Sequence, residues 1–155
     1  MGPPSDRLAQ VRETVRALRD LDGPTLHTPV VMAVRGPKAQ ALAAEVADTV
    51  TFALLPGESR VEVARLARDF RAIRDVELAL HVSVIGDTVA PFMAPPDTDP
   101  AALRAADSLA ILPDDPAAAA DEIQRRREEL GFSYVVVGAS VSDALAPVVA
   151  ELAGT

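Results

Sequence analysis

The sequence predicts a parallel α/β fold built as an unfinished wall: four strands joined by helices, forming half of a β/α barrel that a partner chain completes. Three observations predict it. First, apolar runs at residues 30–34, 49–55, 76–85 and 132–138 alternate with helix-length segments, a pattern that implies parallel strands joined by right-handed crossovers. Second, the third run has two unlike sides. Val76, Leu78, Leu80, Val82 and Val84 are all apolar, whereas Glu77, Ala79, His81, Ser83 and Ile85 are mostly small or polar. Successive strand side chains point to opposite faces, so helices cover one side and the other is turned elsewhere. The second run agrees in part, with Val50, Phe52 and Leu54 opposed to Thr49, Thr51 and Ala53. Third, a complete barrel takes about 250 residues and eight strands, whereas this chain has 155 residues and four strands. Two unpaired edges and an uncovered face remain, and a second chain is expected to close them.

The opening segment is an amphipathic helix. Ser5 is a suitable N-cap, and Leu8, Val11, Val15, Leu18 and Leu21 recur at helical spacing up to the Asp22-Gly23-Pro24 stop. Arg7, Arg12, Arg16 and Arg19 lie on its other side and read as a solvated face. The first strand ends at Arg35-Gly36-Pro37, where the glycine relaxes the turn and the proline suits the first helical position. The first-turn N–H groups, with Arg35 and Lys38 beside them, suit a phosphate or carboxylate; the other reading is an ordinary strand-to-helix turn.

After the second strand, residues 56–59 form a turn and residues 61–73 repeat apolar positions at helical spacing among arginines. The third strand is followed by residues 86–99, proline-rich and carrying Phe92 and Met93, which read as a long loop of the kind that serves as a lid or binding loop. Residues 103–112 hold a short helix and an apolar segment. Asp114-Asp115-Pro116 starts a helix that runs to Leu130-Gly131. Beyond the last strand, Ser142 is placed to cap a closing helix, with Pro147 delaying its regular part.

Composition narrows the function. One domain spanning residues 1–155 accounts for the length, and 49 % hydrophobic residues with only 3 % aromatics predict a core of Val, Leu, Ala and Ile. The 23 acidic against 15 basic side chains give a net charge of −8, which opposes binding to nucleic acid or to an anionic membrane. The absence of cysteine excludes disulfides, thiolate metal sites and cysteine nucleophiles, and fits a cytoplasmic protein. No leader peptide and no membrane-spanning run is visible.

These stretches together resemble a known family. Residues 29–50, PVVMAVRGPKAQALAAEVADTV, are similar to the fifth strand, fifth helix and sixth strand of the luciferase-like flavin or deazaflavin oxidoreductases. The later segments RVEVARLARDFRAI, VELALHVSVIGD, DDPAAAADEIQRRREELGFSYVVVGA and ALAPVVAELAG resemble the rest of that C-terminal half, in family order. The opening helix is similar to the one after the family's fourth strand, so nearly the whole chain is covered. The resemblance implies the C-terminal half of a TIM barrel and a component of an oxidoreductase or monooxygenase that uses coenzyme F420 or flavin mononucleotide (FMN). It implies that Ala33, Val34, Arg35 and Gly36 line the cofactor's phosphate-bearing tail, with Pro37 opening the helix behind them and Lys38 beside them. Relatives often have a small residue at Arg35, so this side chain either clamps the phosphate or obstructs it. Pro56 stands where sugar-phosphate-using relatives place a lysine, which argues against such a substrate. The family's first four strands, which hold the ring and most substrate-acting residues, have no counterpart here.

Candidate chemistry on the inward face rests on His81, the residue suited to proton transfer or substrate contact near neutral pH. The alternative is a hydrogen-bonded lining histidine. Glu77, two residue pairs away and roughly 13 Å along the strand, is too far for a direct acid–base pair. His27 lies in a turn facing solvent, Asp114 and Asp115 are better explained as helix-starting acids than as metal ligands, and Ser140 and Ser142 have no histidine–acid pair to activate them. No metal site, Walker loop or GxGxxG motif is present. Two readings of function follow: an oxidoreductase component that a separate chain or a second copy completes, or a non-catalytic assembly or small-anion-binding module of the same ancestry.

Overall fold

Pro37 opens a helix because its missing N–H falls where no intrahelical partner exists. In the computed structural model, which describes residues 4–55 and 57–153 but not the side chains of residues 4 and 5, that helix is α2 (Pro37–Val46), directly after β1 (Val31–Val34). Ser5 lies inside the first helix (Pro4–Asp22) rather than capping it as expected, and the turn residue Pro56 lies outside the described residues. Gly36 is the N-cap, with φ −84° and ψ 161°, and a Cβ built on it meets nothing within 4 Å. That corrects the expectation for the turn, since ordinary extended backbone carries no Cβ penalty for glycine to relieve.

The remaining elements follow the predicted order. α1 (Pro4–Asp22) precedes β1, β2 (Thr49–Phe52) follows α2, and α3 (Arg60–Arg71) follows β2. α3 opens with a capping box: Ser59 Oγ accepts from the Glu62 N–H, and the Glu62 carboxylate accepts from the Ser59 N–H at 2.8 Å. β3 (Glu77–Val82) comes next. α5 (Pro116–Leu130) is capped by Asp115, whose carboxylate accepts from Ala118 N–H at 2.9 Å, and ends at Gly131 with φ +77°. The last strand, β7 (Phe132–Val137), leads into α6 (Ser142–Leu152).

β1, β2, β3 and β7 form a parallel sheet in that order, so β1 and β7 are its edges. The register sets Val31 beside Thr49 beside Glu77, and Ala33 beside Thr51 beside Ala79 beside Tyr134, all on one face. A bulge between Leu78 and Ala79 in the β3–β7 pairing restores that alternation along β7. The opposite face carries Val34, Val50, Phe52, Leu78, Leu80, Val82 and Phe132. These join Ala43 and Ala47 of α2, Val63, Ala67 and Phe70 of α3, Ala119, Ala120 and Leu130 of α5, and Leu145 and Val148 of α6 in one core. With few aromatics, three phenylalanines knit its centre: Phe52 stands edge-on to Phe70 and to Phe132, centroids 6.2 and 6.3 Å apart. Among the described residues the core takes no side chain of β1, β2, β3 or β7 from the other face, where Val31, Ala33, Glu77, His81 and Tyr134 are exposed and the small side chains of Thr49, Thr51 and Ala79 are buried.

Two expectations need correction. Residues 86–99 are not one long loop. Gly86-Asp87 is the turn of a short hairpin between β4 (Val84–Ile85) and β5 (Thr88–Val89), and Asp99 caps the short helix α4 (Pro100–Ala105). β4 also pairs in parallel with β6 (Ile111–Leu112), making a second sheet of order β5-β4-β6. The chain bends at Ser83, because the N–H groups of Ser83 and Val84 both turn to the Ala110 carbonyl. The closing helix also begins earlier than Pro147 suggests. Ser142 is its first residue rather than its cap, its hydroxyl donating to the Ala139 carbonyl at 2.8 Å, and Pro147 sits inside the helix at the loss of one backbone bond.

Candidate functional site

Ligands of parallel sheets bind where the strands' C-terminal ends stop, because loops and helix N-termini converge there. Here that end brings together Arg35 and Gly36 after β1, Ala53 and Leu54 after β2, His81 and Ser83 at the end of β3, and Gly138 after β7. A small crevice of about 150 Å³ lies among them, lined by Ala53, Glu58, His81, Ser83, Met93 and Ser108 in part. The residues between β5 and α4 fold over it. A Cβ at Gly138 would stand 2.9 Å from Ala90 Cβ and 3.2 Å from Met93 Sδ, so glycine is needed there for this cover to seat. Phe92, next to Met93, holds φ +66° with its ring in solvent.

His81 is exposed on the uncovered face and borders this crevice. Glu77 lies further down β3 and accepts a hydrogen bond from Thr49 Oγ1 at 2.8 Å, so the two do not form an acid–base pair. Around the expected cradle, Ala33 is exposed on the open face, whereas Val34 is buried in the core and presents only its backbone. The Val34 carbonyl accepts from Ala53 N–H at 2.8 Å. Pro37 and Lys38 are exposed, no side chain caps the N-terminus of α2, and among the described residues no acid pairs with Lys38. A groove of about 560 Å³ runs from there to Arg7 and Leu8 of α1.

Arg35 is engaged elsewhere. Its guanidinium donates to the Ala53 carbonyl at 2.7 Å and to both Glu58 oxygens at 3.1 and 2.9 Å. Those Arg35 bonds, and then the Leu55 N–H, hold the Glu58 carboxyl below its usual range against the effect of burial. Glu58 therefore neutralises the charge that the sequence places beside the turn. No local pattern pairs residue 35 with residue 58; both lie on strand-to-helix connections that only the β1–β2 pairing brings together.

A cavity of about 590 Å³ lies among α4, β6 and α5 and shares Ser108 with the crevice. Part of its charge is matched internally, but Arg60 Nη1 is buried with no hydrogen-bond partner among the described residues, and Asp114 and Asp121 also line the space. Glu122 accepts from Arg126 Nε at 2.6 Å, from Arg60 Nη2 at 2.5 Å and from Arg125, while Arg60 also holds Asp107 at 3.0 Å. Arg126 donates further to the Leu109 and Ile111 carbonyls at 2.9 and 2.7 Å, which pins the second sheet to α5. We place the candidate site at the crevice with His81, where the strands of the main sheet end.

At the strands' N-terminal ends, His27 Nε2 meets Asp48 Oδ1 at 2.8 Å, and Asp48 also accepts from Val30 N–H and from Arg19. This network joins α1 to the sheet, with His27 exposed to solvent as expected. Asp115 is a helix cap, and among the described residues no group of three or more histidine, cysteine or acid side chains could hold a metal ion. Among the described residues no hydrogen bond joins Ser140 or Ser142 to a histidine, and the Ser142 hydroxyl donates to the Ala139 carbonyl. Among the described residues no helix is long and apolar enough to cross a membrane. No protein-family model matches the chain, and no curated protein matches its sequence.

Proposed function

We propose that this chain is half of a β/α barrel, equivalent to the C-terminal half of a luciferase-like oxidoreductase, and that it supplies the cradle for the phosphate-bearing tail of FMN or a deazaflavin. The carrying observation is the one-sided sheet: helices fill one face, while the other leaves Val31, Ala33, Glu77, His81 and Tyr134 exposed between the edge strands β1 and β7, and its C-terminal end gathers His81 with an uncapped helix start. Further strands, from a second copy or a separate chain, complete the wall. The open space over Gly36, the free first-turn N–H groups of α2 and the exposed Lys38 fit a phosphate. The cofactor, when bound, supplies hydride or oxygen chemistry; this chain's part is to hold the phosphate, with His81 bordering the substrate side.

A second reading is favoured by the Arg35–Glu58 pair, which removes one cation from the cradle. On it the chain is a non-catalytic assembly or anion-binding module of the same ancestry. Fluorescence titration with FMN and with a deazaflavin separates the two. Saturable binding that Lys38→Glu weakens by about tenfold, as expected for reversing one exposed charge beside a phosphate, supports the first reading. Absence of binding to either, in every oligomeric state, discards the cofactor role and leaves the second.

A further inference from the structure

The cavity of about 590 Å³ among α4, β6 and α5 has the size of a small-molecule site, and none of the cradle residues Arg35, Gly36 or Lys38 lines it. Its inner wall is built of charge. Three guanidinium groups, those of Arg60, Arg125 and Arg126, share two carboxylates, those of Glu122 and Asp107, so one positive charge is left over. Arg126 is fully committed, with Nε on Glu122 and its other two nitrogens on the Leu109 and Ile111 carbonyls. Arg60 places Nε and Nη2 on Asp107, and Nη2 also on Glu122, but its Nη1 is buried with no acceptor among the described residues. A buried donor left unpaired carries its full desolvation cost, so this wall is short of an acceptor. Arg125 is held by Glu122 and leaves 57 % of its side chain exposed.

The outer part of the same cavity has the opposite need. Asp114 and Asp121 are exposed there, and among the described residues neither carboxylate meets a cation or a hydrogen-bond donor. Asp114 is seated closely, since a Cβ added at Gly86, where φ is +56°, would stand 2.7 Å from Asp114 Cβ. Leu103, Ile111 and Pro113 add apolar lining. We propose that this cavity binds an α-amino acid with an aliphatic side chain, its carboxylate on Arg125 and Arg60 and its ammonium on Asp114 and Asp121. A small turn of the Arg60 guanidinium brings Nη1 onto the carboxylate. A simple anion is repelled by the two free acids, and a simple amine leaves the surplus guanidinium charge unmatched. Only a ligand carrying both charges meets both needs.

The test titrates the full chain with L-leucine and follows amide NMR shifts. Two probes each lack one charge: 4-methylpentanoate has no ammonium, and 3-methylbutylamine has no carboxylate. Inorganic phosphate is a third. The leucine shifts are expected to saturate and to centre on residues 103–126, while each of the three probes binds at least about tenfold more weakly. Arg125→Gln and Asp121→Asn change exposed side chains, and each is expected to weaken leucine by about tenfold. Arg125→Gln leaves the affinity for 3-methylbutylamine unchanged, and Asp121→Asn leaves that for 4-methylpentanoate unchanged. The proposal is overturned by leucine shifts that do not saturate or that centre elsewhere, by a probe that binds as tightly as leucine, or by folded variants that keep the wild-type affinity. The probe comparison uses the wild-type chain alone, so it decides the proposal whatever the substitutions do to folding.

Discussion

Replacing Glu122 by glutamine tests the buried charge network that ties the second sheet to α5. Glu122 is 7 % exposed and Arg126 2 % exposed, so neither charge is relieved by water. Burial alone would raise the Glu122 carboxyl, but the bonds from Arg126 and Arg60 outweigh it and take it from 4.5 down to about 2. A group whose pKa falls on folding contributes stability that is present above its unfolded value and lost as pH drops through its folded value. A fall of about 2.5 units corresponds to about 3 kcal/mol, lost between about pH 5 and pH 2, a substantial share of the 5–15 kcal/mol typical of a domain. At neutral pH, Glu122→Gln leaves Arg126 buried without a counter-charge, and the expected loss is about 3–5 kcal/mol. Urea unfolding of both proteins across pH 7 to 2 measures each quantity. The wild type loses its extra stability on acidification and the variant, already lower, shows a flatter profile over that interval. Parallel profiles, or a neutral-pH loss well under 1 kcal/mol, would refute the assignment.

Other outcomes follow from single contacts. Gly138→Val pushes a side chain into Ala90 and Met93, and the expected cost is about 1–3 kcal/mol in chemical denaturation, with faster amide exchange in residues 90–93. Ser59→Ala removes the capping box of α3 and lowers stability by about 1 kcal/mol, read from the same unfolding curves. Phe70→Ala empties the centre of the three-ring cluster and costs about 3–5 kcal/mol, measured as a shift of the denaturation midpoint with unchanged slope.

Much of the architecture is legible in the chain because it is written in local periodicity. Alternation in residues 76–85 assigns Leu78, Leu80 and Val82 to the helix-covered side and leaves Glu77 and His81 on the other, which is where the structure places them. Asp115-Pro116 and Leu130-Gly131 mark helix ends through capping chemistry that acts within a few residues. The segment 86–112 was not legible in the same way. Two-residue strands such as β4, β5 and β6 carry too little pattern to be recognised, and the pairing of β4 with β6 is made through the Ala110 and Leu112 carbonyls, far along the chain from β4.

By itself, then, the sequence determined the order of the four main strands and the helices that join them and the unequal sides of the sheet, since both depend on spacing between near neighbours. Only the tertiary structure decided that Arg35 is held by Glu58, that Arg126 is buried with Glu122 under the second sheet, and that Gly138 receives Ala90 and Met93. These contacts join residues far apart in the chain or on different elements. Whether a charge meets a ligand, a counter-charge or water depends on which strands become neighbours, and no local pattern encodes that.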